Sequence, residues 1–131
     1  MTINDLCKLS HETAKEKGFW KQCSVCKGTL KHWAYEHEID CKYCVNGLDQ
    51  RNDGEMIALM HSELSEALEA LRHGNGKSDH IPEFSFLEEE MADLLIRVGD
   101  YCEARGVRLE EAIKAKMEFN KTRPHKHGKL F

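Results

Sequence analysis

Two pairs of carboxylates and four clustered thiols are the side chains of this sequence best placed to do chemistry. Glu63 and Glu66 stand three residues apart, and so do Glu90 and Asp93. On helices, residues at i and i+3 project from one face about a turn apart, so two such helices side by side bring four carboxylates to one point. At about 100° per residue, Glu63 falls beside Met56 and Leu59, and Glu90 falls near Leu94. The acids therefore flank an apolar stripe instead of pointing wholly to solvent. Carboxylates gathered at a core edge repel one another unless a divalent cation neutralises them, and hard oxygen donors of this kind suit Mg2+ or Mn2+. The plain alternative is a solvated acidic face, since the run Glu88-Glu89-Glu90 favours a helix N-terminus through the dipole alone. Glu69, one step beyond Glu66, belongs to that solvated class.

The thiols are Cys23, Cys26, Cys41 and Cys44, arranged as two Cys-x-x-Cys units with 14 residues between them. Each unit is followed by a glycine, Gly28 and Gly47, that helps a tight turn aim backbone amides at sulfur. Zinc takes four soft ligands in a tetrahedron, and two short chelating turns supply them with little loop entropy. Reduced, uncoordinated pairs or a redox dithiol are the other readings, and the absence of a surrounding βαβ pattern disfavours the dithiol. His32 and His37 are reserve ligands, superfluous beside four cysteines. Lys21, Lys27, Lys31 and Lys42 interleave with Trp33 and Tyr35, a combination compatible with nucleic-acid contact. Glu36, Glu38, Asp40 and Asp49 dilute that patch, which favours a structural insert.

A third set is cationic. Lys116, Asn120 and Arg123 follow a four-then-three step and share one helix face. A lysine and an arginine flanking an amide suit a polyphosphate chain, although charged residues on any solvated helix look the same.

These groups need elements to carry them. Helical periodicity marks residues Ile3 to Lys17, about Gly54 to Arg72, Ser85 to about Glu103, and Leu109 to about Thr122. In the second helix Ile57, Met60, Leu64, Ala67, Leu68 and Leu71 form the stripe expected to face the core. Ser85 and Glu88 make a capping box for the third. Gly74, Gly76 and Pro82 mark 74–84 as a loop, and His125 to Phe131 is a basic tail. Strand patterns are confined to the cysteine segment, so the expected fold class is an all-α four-helix bundle over residues 1–131. A small zinc-ribbon-like knuckle is inserted at 21–50. Four helices this short bury limited surface, so a homodimer is expected.

With 131 residues, 19 basic and 23 acidic side chains, a formal charge of -4 and two prolines, the chain reads as one ordinary globular domain. That charge argues against a surface built wholly for nucleic acid or anionic membrane. No apolar run reaches the roughly 20 residues that span a bilayer. Met1 to Ser10 lacks the layout of a signal peptide, so a reducing cytoplasmic location is the expectation, and with it metal over disulfides.

Four segments, in order, resemble the small single-domain branch of the MazG-like all-α nucleoside-triphosphate pyrophosphohydrolases. They are Lys17-Gly-Phe-Trp20, His61-Ser-Glu-Leu-Ser-Glu-Ala-Leu-Glu-Ala-Leu-Arg72, Glu89-Glu-Met-Ala-Asp-Leu-Leu-Ile-Arg97 and Lys116-Met-Glu-Phe-Asn-Lys-Thr-Arg-Pro-His-Lys-His-Gly128. The resemblance implies a MazG-like bundle, usually dimeric, that converts a nucleoside triphosphate to the monophosphate and pyrophosphate. It makes Glu63, Glu66, Glu90 and Asp93 the Mg2+ ligands, with Glu63 and Glu66 catalytic and Glu66 the candidate general base. Lys116 and Asn120 become phosphate or nucleoside contacts, Arg123 their neighbour, and Trp20 a residue near the base or the pocket rim. Two features depart from the family pattern. Ser62 occupies the place of the leading glutamate in Glu-Glu-x-x-Glu, and the cysteine knuckle is an addition. Those departures keep a second reading open, a catalytically inactive zinc-knuckle module for nucleic acid or a protein partner.

Overall fold

Three of the four α-helices begin where a side chain can receive their first free amides. The computed structural model describes the backbone of all 131 residues, and every side chain except those of Val45 and Asp49. Helix α1 spans Ile3–Glu16 and opens on a reciprocal box between Thr2 and Asp5. Helix α2 spans Asp53–Arg72, with the Asn52 side chain accepting from the Glu55 amide. Helix α3 spans Phe86–Arg105, opens on the expected Ser85–Glu88 box and ends at Gly106 in the left-handed conformation. Helix α4 spans Leu109–Lys121 and has no side-chain cap at its start. A short 3-10 turn, His125–Gly128, follows Pro124.

Between α1 and α2 lies the cysteine segment, built from two small antiparallel hairpins. Strand β1 (Lys31–Ala34) pairs with β2 (His37–Asp40), and β3 (Cys44–Val45) pairs with β4 (Leu48–Asp49). Lys31 faces Asp40 and Trp33 faces Glu38 across the first hairpin. The knuckle turns touch backbone to backbone, for a Cβ built on Gly47 would lie 2.9 Å from the Gly28 Cα. Both glycines have positive φ, so side chains there are excluded on two grounds. The architecture is thus four helices plus a small stranded insert, as the periodicities predict. No helix is long and apolar enough to cross a membrane.

Helix α3 is central, with α1 packed on one side and α2 on the other, while α4 leans on α1. The α1–α3 contact is close because its residues are small. A Cβ on the buried Gly99 would meet Ser10 Oγ at 3.1 Å and Cys7 Cα at 3.3 Å. Cys7, Ser10 and Cys102 are all buried there.

The stripe expected to bury α2 does not do so. Met56, Glu63 and Ala67 are buried, whereas Ile57, Leu64, Leu68 and Leu71 are 41–55% exposed. Periodicity identifies an apolar face but not the direction in which it points. Here the helix turns its smaller and partly polar side toward α3 and leaves the larger side chains outside.

Candidate metal centres and the adjoining cleft

The four thiols converge. Cys23 Sγ lies 3.8 Å from Cys41 Sγ, and Cys26 Sγ lies 3.6 Å from Cys44 Sγ. A tetrahedral zinc with Zn–S bonds of about 2.3 Å separates its sulfurs by about 3.8 Å, so the donor set has the spacing that zinc requires. The turns hold this geometry through their backbones. The Cys23 amide donates to the Gly47 carbonyl and the Cys41 amide to the Leu30 carbonyl, both at 2.8 Å, so each unit is tied to the loop of the other or to the hairpin between them. Burial opposes ionisation of Cys26, yet hydrogen bonds from the Cys44 thiol and from the Gly28 and Leu30 amides bring it down to about 7. Burial and the Cys26 and Cys41 thiols push Cys44 up to about 12. Such a split is what closely packed thiols sharing protons produce, and a metal that takes all four as thiolates removes the conflict.

The second centre lies between α2 and α3. Glu63, Glu90 and Asp93 each offer an oxygen, and those three oxygens lie within 4.8 Å of one another. Burial raises the Glu90 carboxyl, with Glu66 and Glu63 adding repulsion. Asp93 is raised by burial and by Glu63 and Glu89, against a pull downward from Arg97. Glu66 stands beside this group, raised by burial and by the neighbouring Glu63 carboxyl. The fourth expected ligand is therefore adjacent to the gathered three and does not close the set. Ser62 does not replace it, because its hydroxyl donates to the Leu59 carbonyl of its own helix at 2.6 Å.

Two partners of the acids carry no obvious sequence signal. Arg97 donates through Nε to the buried Glu63. His80, on the loop before α3, sits with Nδ1 2.6 Å from Glu89 Oε1, while Ser78 Oγ accepts the amides of His80 and Ile81. Hydrogen bonds from Ser78 and His80 hold the Glu89 carboxyl below the usual glutamate range, so this acid is already engaged outside the gathered three. Arg97 shares a helix face with Asp93 four residues earlier, but that spacing does not name Glu63, on the other helix, as its partner.

A cleft of about 240 Å3 opens between α1 and α3 beside the acids. Its walls include Lys17, Phe19, Arg51, Asp93, Arg97 and Asp100. Trp20 lines a second cavity, of about 440 Å3, together with His11, Leu48 and Arg105. The indole is 5% exposed and donates from Nε1 to Asp100 Oδ1 at 2.8 Å. His11 Nδ1 lies 2.7 Å from the same oxygen, and Arg51 reaches Asp100 at 3.8 Å while covering the Trp20 ring at 5.1 Å. Trp20 and Arg51 flank the insert in sequence, so this buried network fastens both its ends to α3. The exposed aromatic of the pair is Phe19, 63% accessible on the cleft wall.

Of the expected phosphate-binding set, Lys116 and Asn120 lie on α4, whereas Arg123 stands past its end at Lys121 and so leaves the shared helix face. Among the described residues, none of Lys116, Asn120 and Arg123 forms a hydrogen bond or ion pair with Glu63, Glu66, Glu90 or Asp93. Lys116 and Arg123 both lie over the Phe119 ring, at 4.7 and 6.0 Å. The Asn120 side-chain oxygen is buried without a partner. Compared with family models, curated proteins and solved structures, the chain matches none.

Proposed function

We propose that this protein is a divalent-metal-dependent nucleotide pyrophosphohydrolase of the MazG-like type, converting a nucleoside triphosphate to its monophosphate and pyrophosphate. The observation that carries the reading is the meeting of Glu63, Glu90 and Asp93 from two helices within 4.8 Å, with Glu63 buried. Three hard donors so close, each disfavouring the charge of the next, fit Mg2+ or Mn2+. An ion held there would supply charge neutralisation at phosphate oxygens and a more acidic water. The chain's own residues would do the rest. Glu66 keeps its carboxylate beside the ligand set without being one of the gathered three, and its raised pKa suits it to take the water's proton. Lys17 and Arg97 line the neighbouring cleft with positive charge for the phosphates, and Phe19 offers an exposed ring for stacking a base.

Zinc in the four-thiolate centre is structural on this reading. A homodimer belongs to it too, with the outward stripe of α2 as the interface. Lys116, Asn120 and Arg123 would then approach phosphates from the second copy of the chain, since their own acids lie elsewhere.

Pyrophosphate release from a panel of nucleoside triphosphates tests the proposal. It should require Mg2+ or Mn2+ and fall by at least about 100-fold in Glu63→Gln or Asp93→Asn. Metal-independent release, or variants as active as the parent, would overturn it. One observation favours a binding module instead. Trp33 and Tyr35 are 75% and 88% exposed on the first hairpin among lysines. That reading gains if the panel is inert and salt-sensitive oligonucleotide binding depends on Lys27 and Lys31 without Mg2+.

A further inference from the structure

Arg97 sits on the boundary between the acidic centre and the cleft. Its Nε donates to Glu63, whose side chain is 5% exposed against 40% for that of Arg97. The same side chain lines the α1–α3 cleft, beside Asp93 and opposite Lys17. It also borders the small cavity beneath Arg51, Met56 and Leu59. A carboxylate buried as deeply as Glu63 needs a compensating charge, and among the described residues Arg97 is its hydrogen-bonding partner. Yet Glu63 is one of the three oxygen donors that gather between the helices. One buried carboxylate is therefore shared by two prospective cations.

We propose that Arg97 is a placeholder cation. It neutralises Glu63 while the acidic centre lacks its metal, and it turns into the cleft to bind phosphoryl oxygens once a divalent ion arrives. This rests on the metal-dependent reading above. The exposed part of its side chain already borders the cleft, so the transfer needs a rotation of one side chain and no helix movement. The cleft has a use for it. Arg51 is committed to Asp100 and to the Trp20 ring, which leaves Lys17 at the mouth and Arg97 as the cation adjoining Asp93. A guanidinium offers a planar fork suited to phosphate oxygens. Its exit also relieves repulsion between the arginine and the incoming ion.

The two halves of the proposal predict effects of opposite sign from one substitution. In the full-length protein, Mn2+ binding followed by electron paramagnetic resonance should tighten about tenfold in Arg97→Gln, because a competing charge is gone. Binding of α,β-methylene ATP at saturating Mn2+ should weaken about tenfold in the same variant. Arg97→Lys, which keeps the charge but not the fork, should hold Mn2+ within about twofold of the parent while losing part of the analogue binding. A purely structural arginine would lower both affinities of Arg97→Gln together, and that result, or an unchanged Mn2+ affinity, overturns the proposal. Should Arg97→Gln fail to fold, Arg97→Lys decides: loss of its Mn2+ binding, or undiminished analogue binding, overturns it. Glu90→Gln separates this inference from the reading beneath it. If parent Mn2+ binding is lost in Glu90→Gln but Arg97→Gln does not tighten, the placeholder role fails and the metal centre stands. If neither the parent nor Arg97→Gln binds Mn2+ at millimolar concentration, both fail.

Discussion

Glu90 shows what the acidic centre costs the folded chain. Burial and the neighbouring Glu66 and Glu63 carboxyls raise its pKa, which means that its charged form is less comfortable folded than unfolded. Stability therefore declines as pH rises through the ordinary carboxylate range, because the unfolded chain releases the proton more readily. Removing that charge should help the metal-free protein and harm only its function. Glu90→Gln is expected to melt about 3 °C higher than the parent in magnesium-free buffer and, on the metal-dependent reading proposed above, to lack the rise in melting temperature expected of the parent in Mg2+. Calorimetry with and without Mg2+ checks both statements, and a Glu90→Gln that melts lower when metal-free contradicts them. At this scale the gathering of three acids was legible, since helix spacing puts Glu63, Glu90 and Asp93 near one another without further information. Their counter-ions were not. Arg97 takes its meaning from Glu63 on another helix, and the separate acid Asp100 takes its own from Trp20 and His11. The hydrogen bond that Trp20 donates was equally hidden, since the carboxylate that accepts it lies 80 residues away.

Among the elements, α1 and α3 are held together by what their contact leaves out. Gly99 gains nothing from helix propensity, and alanine in its place should favour the helix by about 1 kcal/mol. The added methyl would nevertheless sit 3.3 Å from the Cys7 Cα, a backbone atom that cannot turn aside as Ser10 Oγ can. Forcing the helices apart costs about 1–3 kcal/mol, so the wedge outweighs the propensity. Gly99→Ala is expected to be less stable in urea, whereas a neutral or stabilised variant would show that the two helices have room to separate. The inserted knuckle depends on different forces. Its hairpins are short, Trp33 and Tyr35 are exposed, and its buried residues include Cys23 and Cys26. Its four converging thiols would let a bound metal supply the order that an apolar core supplies elsewhere. Because Trp20 and Arg51 anchor its ends on Asp100, a zinc chelator should open the segment locally. Trypsin should then cut at Lys27, Lys31 and Lys42 while α3 stays protected, and global unfolding on chelation would count against this division. Helix positions were readable from periodicity and caps, and the zinc spacing from two glycine-backed turns. Which face of α2 turns inward was not, because the choice depends on the small residues and acids that α3 presents to it.

The whole chain leaves more apolar surface outside than a solitary domain needs. Ile57, Leu64, Leu68 and Leu71 recur along the outer side of α2, and Met91, Leu95 and Ile96 on α3 are 43–53% exposed. Single exposed leucines are ordinary, but four on one helix at heptad-like spacing make a seam of the kind that helices bury against other helices. The seam carries the residue next to Glu63, so an occupant would also restrain the acidic centre. On the homodimeric reading proposed above, a second copy is the occupant. The stripe is long and of one chemistry, and α4, which leans on α1, carries Lys116 and Asn120 with Arg123 just past its end, none of them hydrogen-bonded or ion-paired to the local acids among the described residues. Fully burying a leucine contributes about 1.5–3 kcal/mol, so two glutamates in the middle of the seam should abolish the contact. The parent is expected to run as a dimer in light scattering at micromolar concentration, and Leu64→Glu with Leu68→Glu as a monomer of unchanged helical content. If α4 serves the partner's phosphates, that monomer should also bind Mn2+ with parental affinity yet hydrolyse nucleotide poorly. A parent that is monomeric at such concentrations, or a monomeric variant with full activity, would confine the chemistry to one chain and leave the stripe without this role.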